Sequence, residues 1–373
     1  MQDNTFRAKT AVSRRTLLKG AGAAGLALGA GMRFPTPAIA QTKTIKFTLP
    51  WLANGSTLFT YVAKNQGFFK DKGLDVEISR GYGSVAAAQA LGAGEFDFGF
   101  VFAGGIILGA ARGLPLKGLA TLGYDATMGM LLKADSEITE PKDFEGKKIG
   151  MVPTSAEAPY WPAFARKTGI DTSGVTIVQM DNRVLEQSVI NDQVASVTAI
   201  ATSSVPVMMS LDQPTRFMLW SKYGVSLYAG QVATQAATYE SDPELCAAVT
   251  EALTEGLVYA LKDPQAGVDI FVEEVPEIGI AANGRENARL SQGLMHYTVV
   301  STEAEEHAIG YTDMEKVGEM VDMVMEFGAP ADATRPDPAA LYTNDVVSEA
   351  GKLSADEWAS IKSGLDEYAK ILG

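Results

Sequence analysis

LPWLANGSTLFTYVAKNQGFFKDKGLDVEI, residues 49–78, holds the end of one strand, a helix and the start of the next strand, and the order of those three decides the fold. Just upstream, TIKFTL (44–49) alternates apolar and polar residues as a half-buried strand does. Leu58, Tyr61, Val62, Asn65 and Phe68/Phe69 then recur at helical spacing across 56–70, up to the Lys72-Gly73 turn, and LDVEIS (74–79) is again a strand. Further on, SVAAAQALGAG predicts a short helix with Ser84 as its cap, FDFGFV a strand, GGIILGAARG a helix and LKGLATLG a strand. Strands and helices alternate, which is the order a mostly parallel sheet demands, because each parallel connection must cross over the sheet.

The same order recurs from about residue 131. KKIGMV (147–152), VTIVQM (175–180), ASVTAI (195–200) and RFMLW (216–220) read as strands, with helices from Ser155 or Ala158 to Lys167 and over VLEQSVINDQ. VSLYAGQVATQ (225–235) looks extended enough to cross back, and from Asp242-Pro243 the chain is nearly all helical. The expectation is a two-lobed α/β protein with mostly parallel sheets flanked by helices and a helical C-terminal region. Residues 43–130 and 225–373 would form lobe one, and residues 131–224 lobe two.

At the other end, SRRTLLKGAGAAG (13–25) contains the spacing of a dinucleotide-binding turn at Gly20, Gly22 and Gly25. That turn needs a strand before it and an acidic residue about 20 positions on, and neither is present. Two arginines, a moderately apolar run from Thr16 to Ala30 and the small-x-small Ala38-Ile39-Ala40 instead mark residues 1–40 as an export signal. SRRTLLK resembles the bacterial twin-arginine signal, whose passengers fold before crossing the membrane.

Without those 40 residues, which carry six basic side chains and Asp3, the chain keeps 25 Lys+Arg against 44 Asp+Glu, a net charge of −19. Such a surface repels polyanions, so nucleic acid is excluded as a partner class. The single cysteine, Cys246, has no internal disulfide partner, and its apolar-periodic surroundings make it a core residue. Residues 41–373 contain no second apolar stretch of bilayer-spanning length. The expectation is a folded, acidic, periplasmic protein.

LPWLANGSTLFTYVAKNQGFFKDKGLDVEI, GSVAAAQALGAGEFDFGF and KDFEGKKIG together resemble the solute-binding subunits of bacterial ABC importers, in the group that takes up nitrate, sulfonates, taurine and thiamine-pyrimidine precursors. The resemblance is strongest over 45–155. It implies a two-lobed periplasmic protein, commonly a monomer, that closes on a small-molecule solute and delivers it to an ABC permease in the inner membrane. Pyrimidine-binding relatives carry a proline-asparagine pair followed by a histidine after the first strand. Here Asn54 matches, Ala53 stands at the proline position and no histidine follows.

Ligands of open parallel sheets gather beyond the carboxyl ends of the strands. The segments leaving strands there offer Trp51 and Asn54, Tyr82 and Ser84, Phe102 and Ala103, then Thr154, Glu157, Tyr160 and Trp161, and Asp181. Trp51, Tyr82 and Trp161 could sandwich a flat ring, leaving its heteroatoms to Asn54, Glu157 and Asp181. A helix starting at Ser84 could offer free N–H groups to an anion or a carbonyl. Only Arg183 among these segments could clamp an anion, which favours a pyrimidine-like or other nitrogen heterocycle over a sulfonate or carboxylate. A periplasmic sensing accessory would share every one of these features.

Neither chemistry nor a cofactor is called for. His296 and His307 stand eleven apart, without metal-ligand spacing, and read as surface or helix-cap residues. No G-x-S-x-G elbow occurs, and SSVP near 203 is not a nucleophile setting. The fungal pyrimidine-synthesis enzymes of this fold use a histidine as reactant, whereas the first 295 residues here contain none.

Overall fold

The computed structural model describes residues 42–372; the expected export signal and its twin-arginine motif lie outside them. Lobe-one strands β1 (Lys43–Thr48), β2 (Leu74–Ser79), β3 (Phe98–Phe102) and β4 (Leu116–Thr121) are joined by helices α1 (Leu58–Asn65), α2 (Phe68–Asp71), α3 (Ser84–Gly92) and α4 (Ala103–Ala111). Then come β5 (Met128–Lys133), β6 (Lys148–Met151), α5 (Trp161–Thr168), β7 (Thr176–Gln179), α6 (Leu185–Ile190), β8 (Ser196–Ile200), α7 (Ala201–Ser210), β9 (Thr215–Leu219) and β10 (Gly230–Gln235). Two five-stranded sheets result, in the orders β2-β1-β3-β10-β4 and β7-β6-β8-β5-β9.

Each sheet has one reversed strand. β10 runs antiparallel to β3 and β4, and β5 runs antiparallel to β8 and β9, while β1 pairs in parallel with β2 and β3, and β6 with β7 and β8. These reversed strands are the two places where the chain crosses between sheets. The crossings bond to each other: Ala229 N–H to Gly123 O at 2.9 Å and Ala126 N–H to Leu227 O at 2.8 Å. Beside them the Tyr124 and Tyr228 rings meet edge to face, centroids 5.5 Å apart.

After β10 follow the short α8 (Ala236–Ser241), α9 (Pro243–Lys262), α10 (Pro264–Glu274), α11 (Pro276–Ile280) and α12 (Gly284–Val299), and shorter helices to Leu372. Asp242 and Asp263 cap α9 and α10 through the amides of Leu245 and Ala266, with proline at the first helical position of each. Helix α12 packs both on the Gly55–Thr57 turn of the first sheet's lobe and on α7 of the other. A Cβ on Gly55 would lie 1.9 Å from Ala288 O, so that packing requires glycine.

Several local expectations change. The single helix over 56–70 is broken at Gly67, whose φ of +83° is left-handed and ends α1. Ser84 is not the cap of α3: Gly83 holds that position, with φ +111° and no capping side chain, and the Ser84 Oγ accepts Phe102 N–H at 3.3 Å. Cys246 is buried, as its apolar setting implies. His296 is also buried, on the inner side of α12 beside Gln292, rather than on the surface, and His307 stacks on Tyr311 at 3.9 Å.

Candidate functional site

The chain leaving β1 turns at Pro50-Trp51 into the 3-10 turn Gly55–Thr57, capped by Asn54. Asn54 Oδ1 accepts the Ser56 amide at 2.9 Å and the Ser56 hydroxyl at 2.7 Å. With its oxygen so occupied, Asn54 points its Nδ2 across to the Ser203 Oγ, 3.4 Å away in α7. Further contacts cross between the lobes. The Thr154 hydroxyl donates to Tyr82 O at 2.6 Å and the Tyr160 hydroxyl to Gly104 O at 3.1 Å. A Cβ on Gly83 would sit 1.9 Å from Thr154 O, and one on Gly104 would sit 2.6 Å from the Tyr160 hydroxyl. Glycine at both places is what lets the two backbones close.

Between the lobes lies a small, half-open cavity. Trp51, Asn54, Ser56, Thr57, Ser84 and Phe102 line it from one side, and Ser155, Glu157, Leu185, Ile200, Ser203 and Ser204 from the other. Its empty space, counting the part open to solvent, is about 530 Å³. A wider groove of about 1580 Å³, measured in the same way, runs along β9 beside the C-terminal helix Asp366–Leu372. Among the described residues, no buried side-chain atom lacking a partner belongs to a residue of that groove, whereas one belongs to Glu157 of the smaller cavity between the lobes, which is the better site.

Glu157 dominates it. Its side chain is only 2% exposed, and Oε1 accepts the hydroxyls of Ser155 at 2.6 Å and Thr198 at 3.1 Å. Oε2 is buried with no partner. Burial raises the Glu157 pKa above its ordinary value, against the pull of those two hydroxyls, and among the described residues no lysine, arginine or histidine lines the cavity. A buried carboxylate oxygen left unpaired costs roughly 1–3 kcal/mol or more, and a ligand N–H can recover it. Behind the wall, Glu186 accepts the Ser204 hydroxyl at 2.6 Å and is likewise raised by burial. With its proton turned to Glu186, Ser204 offers the cavity only lone pairs.

The residues picked out at strand exits divide. Trp51, Asn54, Ser84, Phe102 and Glu157 line the cavity. Ala103 is buried at the start of α4, and Thr154 and Tyr160 hold the lobes together without lining it. The expected ring sandwich is not formed by Tyr82 and Trp161. Tyr82 is 64% exposed, with the Arg80 guanidinium 4.3 Å from its ring centre. Trp161 is buried among Phe144, Phe164 and Trp220, with ring centroids 5.9–6.5 Å away. Nor does Asp181 face the cavity: it caps the Asn182–Val184 turn and binds exposed Arg183 at 2.8 Å, which also removes Arg183 as an inward anion clamp. Ser203 and Ser204 were missed, although they leave the strand ASVTAI by the same rule that identified the others.

A family described as NMT1/THI5 like matches residues 54–267. The formylaminopyrimidine-binding protein of Halalkalibacterium halodurans is 21% identical over 63% of this chain and 72% of its own length. A 4-amino-5-hydroxymethyl-2-methylpyrimidine phosphate synthase of Saccharomyces cerevisiae is 31% identical, but over only 30% of this chain and 33% of its own. Among solved structures, the alkanesulfonate-binding protein SsuA from Xanthomonas axonopodis, bound to MOPS, superposes with a TM-score of 0.61 at 11% identity, covering 81% of this chain and 98% of that one. At that identity the likeness speaks for the two-lobed periplasmic-binding-protein fold alone.

Proposed function

The chain belongs to the NMT1/THI5-like family, and from that premise we propose that it is the periplasmic solute-binding subunit of an ABC importer, whose solute is a small nitrogen heterocycle of pyrimidine type. The observation that carries the reading is the unpartnered Oε2 of Glu157 in a cavity walled by both lobes. A heterocyclic N–H or exocyclic amino group is the complement such an oxygen lacks. Trp51 and Phe102 supply apolar faces for the ring, and Asn54, Ser155 and Ser204 supply polar edges. The pyrimidine named for the Halalkalibacterium halodurans relative has the same chemistry.

Binding then works by closure. Only the closed state brings Asn54 against Ser203 and Glu157 against the ligand together, so a solute that touches both walls shifts the equilibrium towards it. A membrane permease that recognises the closed form receives loaded protein. Delivery to the periplasm by the twin-arginine route, through Arg14-Arg15, belongs to the same proposal. The cavity wall offers carboxyl, amide and hydroxyl groups, with no histidine to serve as a reactant, so capture rather than synthesis is its task.

The test is a thermal-shift and calorimetric screen of the protein recovered from the periplasm of an expressing host, against pyrimidines, purines, alkyl sulfonates, taurine and nitrate. A ligand that binds only the folded state adds about 2.7 kcal/mol of apparent stability at a hundredfold excess over its Kd. A pyrimidine that raises Tm in the native protein but not in Glu157→Gln is the expected result. Binding of sulfonates or nitrate alone overturns the heterocycle.

A further inference from the structure

A second cavity lies between the α9–α10 corner, α12 and the C-terminal helices Ala355–Ser363 and Asp366–Leu372, and it shares no lining residue with the cavity between the lobes. Its empty space, counting the part open to solvent, is about 850 Å³. Leu261, Pro264, Ile361, Leu365 and the Tyr368 ring give it apolar walls. Tyr368 packs there because Gly293 leaves room, since a Cβ on Gly293 would lie 1.8 Å from that ring. The charged residues of the cavity are already engaged. Lys262 Nζ lies 2.6 Å from Glu357, and Asp263 caps α10 through the Ala266 amide at 3.0 Å. Arg289 binds Glu286 at 2.9 Å, Glu367 at 2.5 Å and the Tyr368 hydroxyl at 2.9 Å.

Two uncharged polar side chains also line it. Gln292 and His296 stand one turn apart on α12 and are only 2% and 3% exposed. The carbonyl of Ala260, near the end of α9, would ordinarily take the amide of residue 264, but that residue is proline and has none. Gln292 Nε2 donates to this carbonyl instead, at 3.3 Å, and the bond fixes which end of the side-chain amide is nitrogen. The same Nε2 lies 3.4 Å from His296 Nε2, so the imidazole accepts there and carries its proton on Nδ1. Burial pushes the His296 pKa down to about 3, which keeps the ring neutral. Gln292 Oε1 is left buried without a donor, and among the described residues the Nδ1 proton of His296 has no acceptor.

One unmet acceptor and one unmet donor, both neutral, thus stand side by side between apolar walls. An ion entering here finds each opposite charge engaged and loses its hydration, whereas a hydrocarbon leaves both polar groups unpaired. We propose that this cavity is a second binding site, separate from the solute site between the lobes, for a small neutral amide whose N–H donates to Gln292 Oε1 and whose carbonyl accepts from His296 Nδ1.

The chain has two histidines, His296 and His307, so isotope-labelled histidine gives two imidazole signals in a nitrogen NMR spectrum, and the exposed His307 is assigned by His307→Gln. At pH 7 His296 should be neutral with its proton on Nδ1. Titration with δ-valerolactam should shift its signals to saturation, and N-methyl-δ-valerolactam, which lacks the N–H, should bind roughly tenfold or more weakly. Pentanoate and butylamine should leave the signals in place. Glu157→Gln, in the other cavity, should leave the lactam Kd unchanged. A proton on Nε2 would pair the Gln292 oxygen and overturn the proposal. So would equal affinity for the two lactams, tighter binding of either ion, or an unmoved His296 throughout. A lactam that binds by calorimetry without moving His296, and is lost in Glu157→Gln, belongs between the lobes; it overturns the second site and leaves the solute reading standing.

Discussion

The Ser291 hydroxyl donates to the main-chain carbonyl of Thr202 at 2.6 Å. That carbonyl is available because Pro206, four residues on in α7, has no N–H to offer it. The same Ser291 oxygen accepts the Ser56 amide at 2.9 Å. A three-member relay thus runs from the Gly55–Thr57 turn of one lobe, through α12, into the first turn of α7 in the other, beside the cavity.

Ser291→Ala breaks this relay at its buried centre and strands the Thr202 carbonyl, while the Ser56 amide keeps Asn54 Oδ1 as its acceptor. Loss of about 1–3 kcal/mol of stability is expected, together with weaker ligand binding, because the closed arrangement loses a link. Pro206→Ala restores an amide four residues after Thr202, so Ser291→Ala should cost less in that background. Urea unfolding of the two single variants and the double variant measures the coupling; strictly additive losses would break the assignment.

Glu157 predicts a pH dependence of definite sign. Its folded pKa is raised by burial above the ordinary 4.5, so the folded state holds the proton longer than the unfolded chain. The stability tied to that proton is fully present below about 4.5 and is lost as pH rises through the folded value. Without ligand, Glu157→Gln should therefore melt higher than wild type at neutral pH, and the difference should shrink on acidification. A Glu157→Gln protein that melts lower at pH 7 contradicts an unpaired buried carboxyl.

Gly104→Ala tests closure itself. The added methyl would lie 2.6 Å from the Tyr160 hydroxyl of the other lobe, and this glycine is not in a left-handed conformation. Backbone strain is thus absent, and separating the lobes relieves the clash. Ligand affinity should fall roughly tenfold or more, with a change in ligand-free Tm of only a few degrees. Small-angle scattering of the ligand-free variant should show a larger radius of gyration than wild type; an unchanged radius with unchanged affinity would refute the closing role.

His296 sets an acid limit. Burial pushes its imidazole down to about 3, from an ordinary 6.5. Folding with a neutral ring gives stability that is present above about 6.5 and lost as pH falls towards 3. At about 1.4 kcal/mol per unit, the full loss is at most roughly 4–5 kcal/mol. His296→Gln should flatten this part of the stability profile relative to wild type, measured by urea unfolding from pH 7 to 4.

The alternation of strands and helices, the two-lobed class and the strand exits that border the cavity are legible in the chain. Those follow from local periodicity and from the rule that parallel strands need crossovers. Trp51, Asn54, Ser84, Phe102 and Glu157 reach the cavity because each lies within a few residues of a strand end, where direction is set locally. What a side chain faces one helical turn later depends on how that helix packs. Trp161 is turned into the Phe144, Phe164 and Trp220 cluster because α5 buries its apolar side there, and Asp181 is claimed by its own turn and by Arg183. Ser203 and Ser204 lie just past the end of β8, so the strand-exit rule reaches them too, but the helix over 201–210, with a proline inside it, has no periodic signal to say which of its side chains face the cavity. That α12 bridges the lobes and that Glu157 keeps one oxygen unpaired is legible only in the folded chain, because both depend on contacts between residues far apart in sequence.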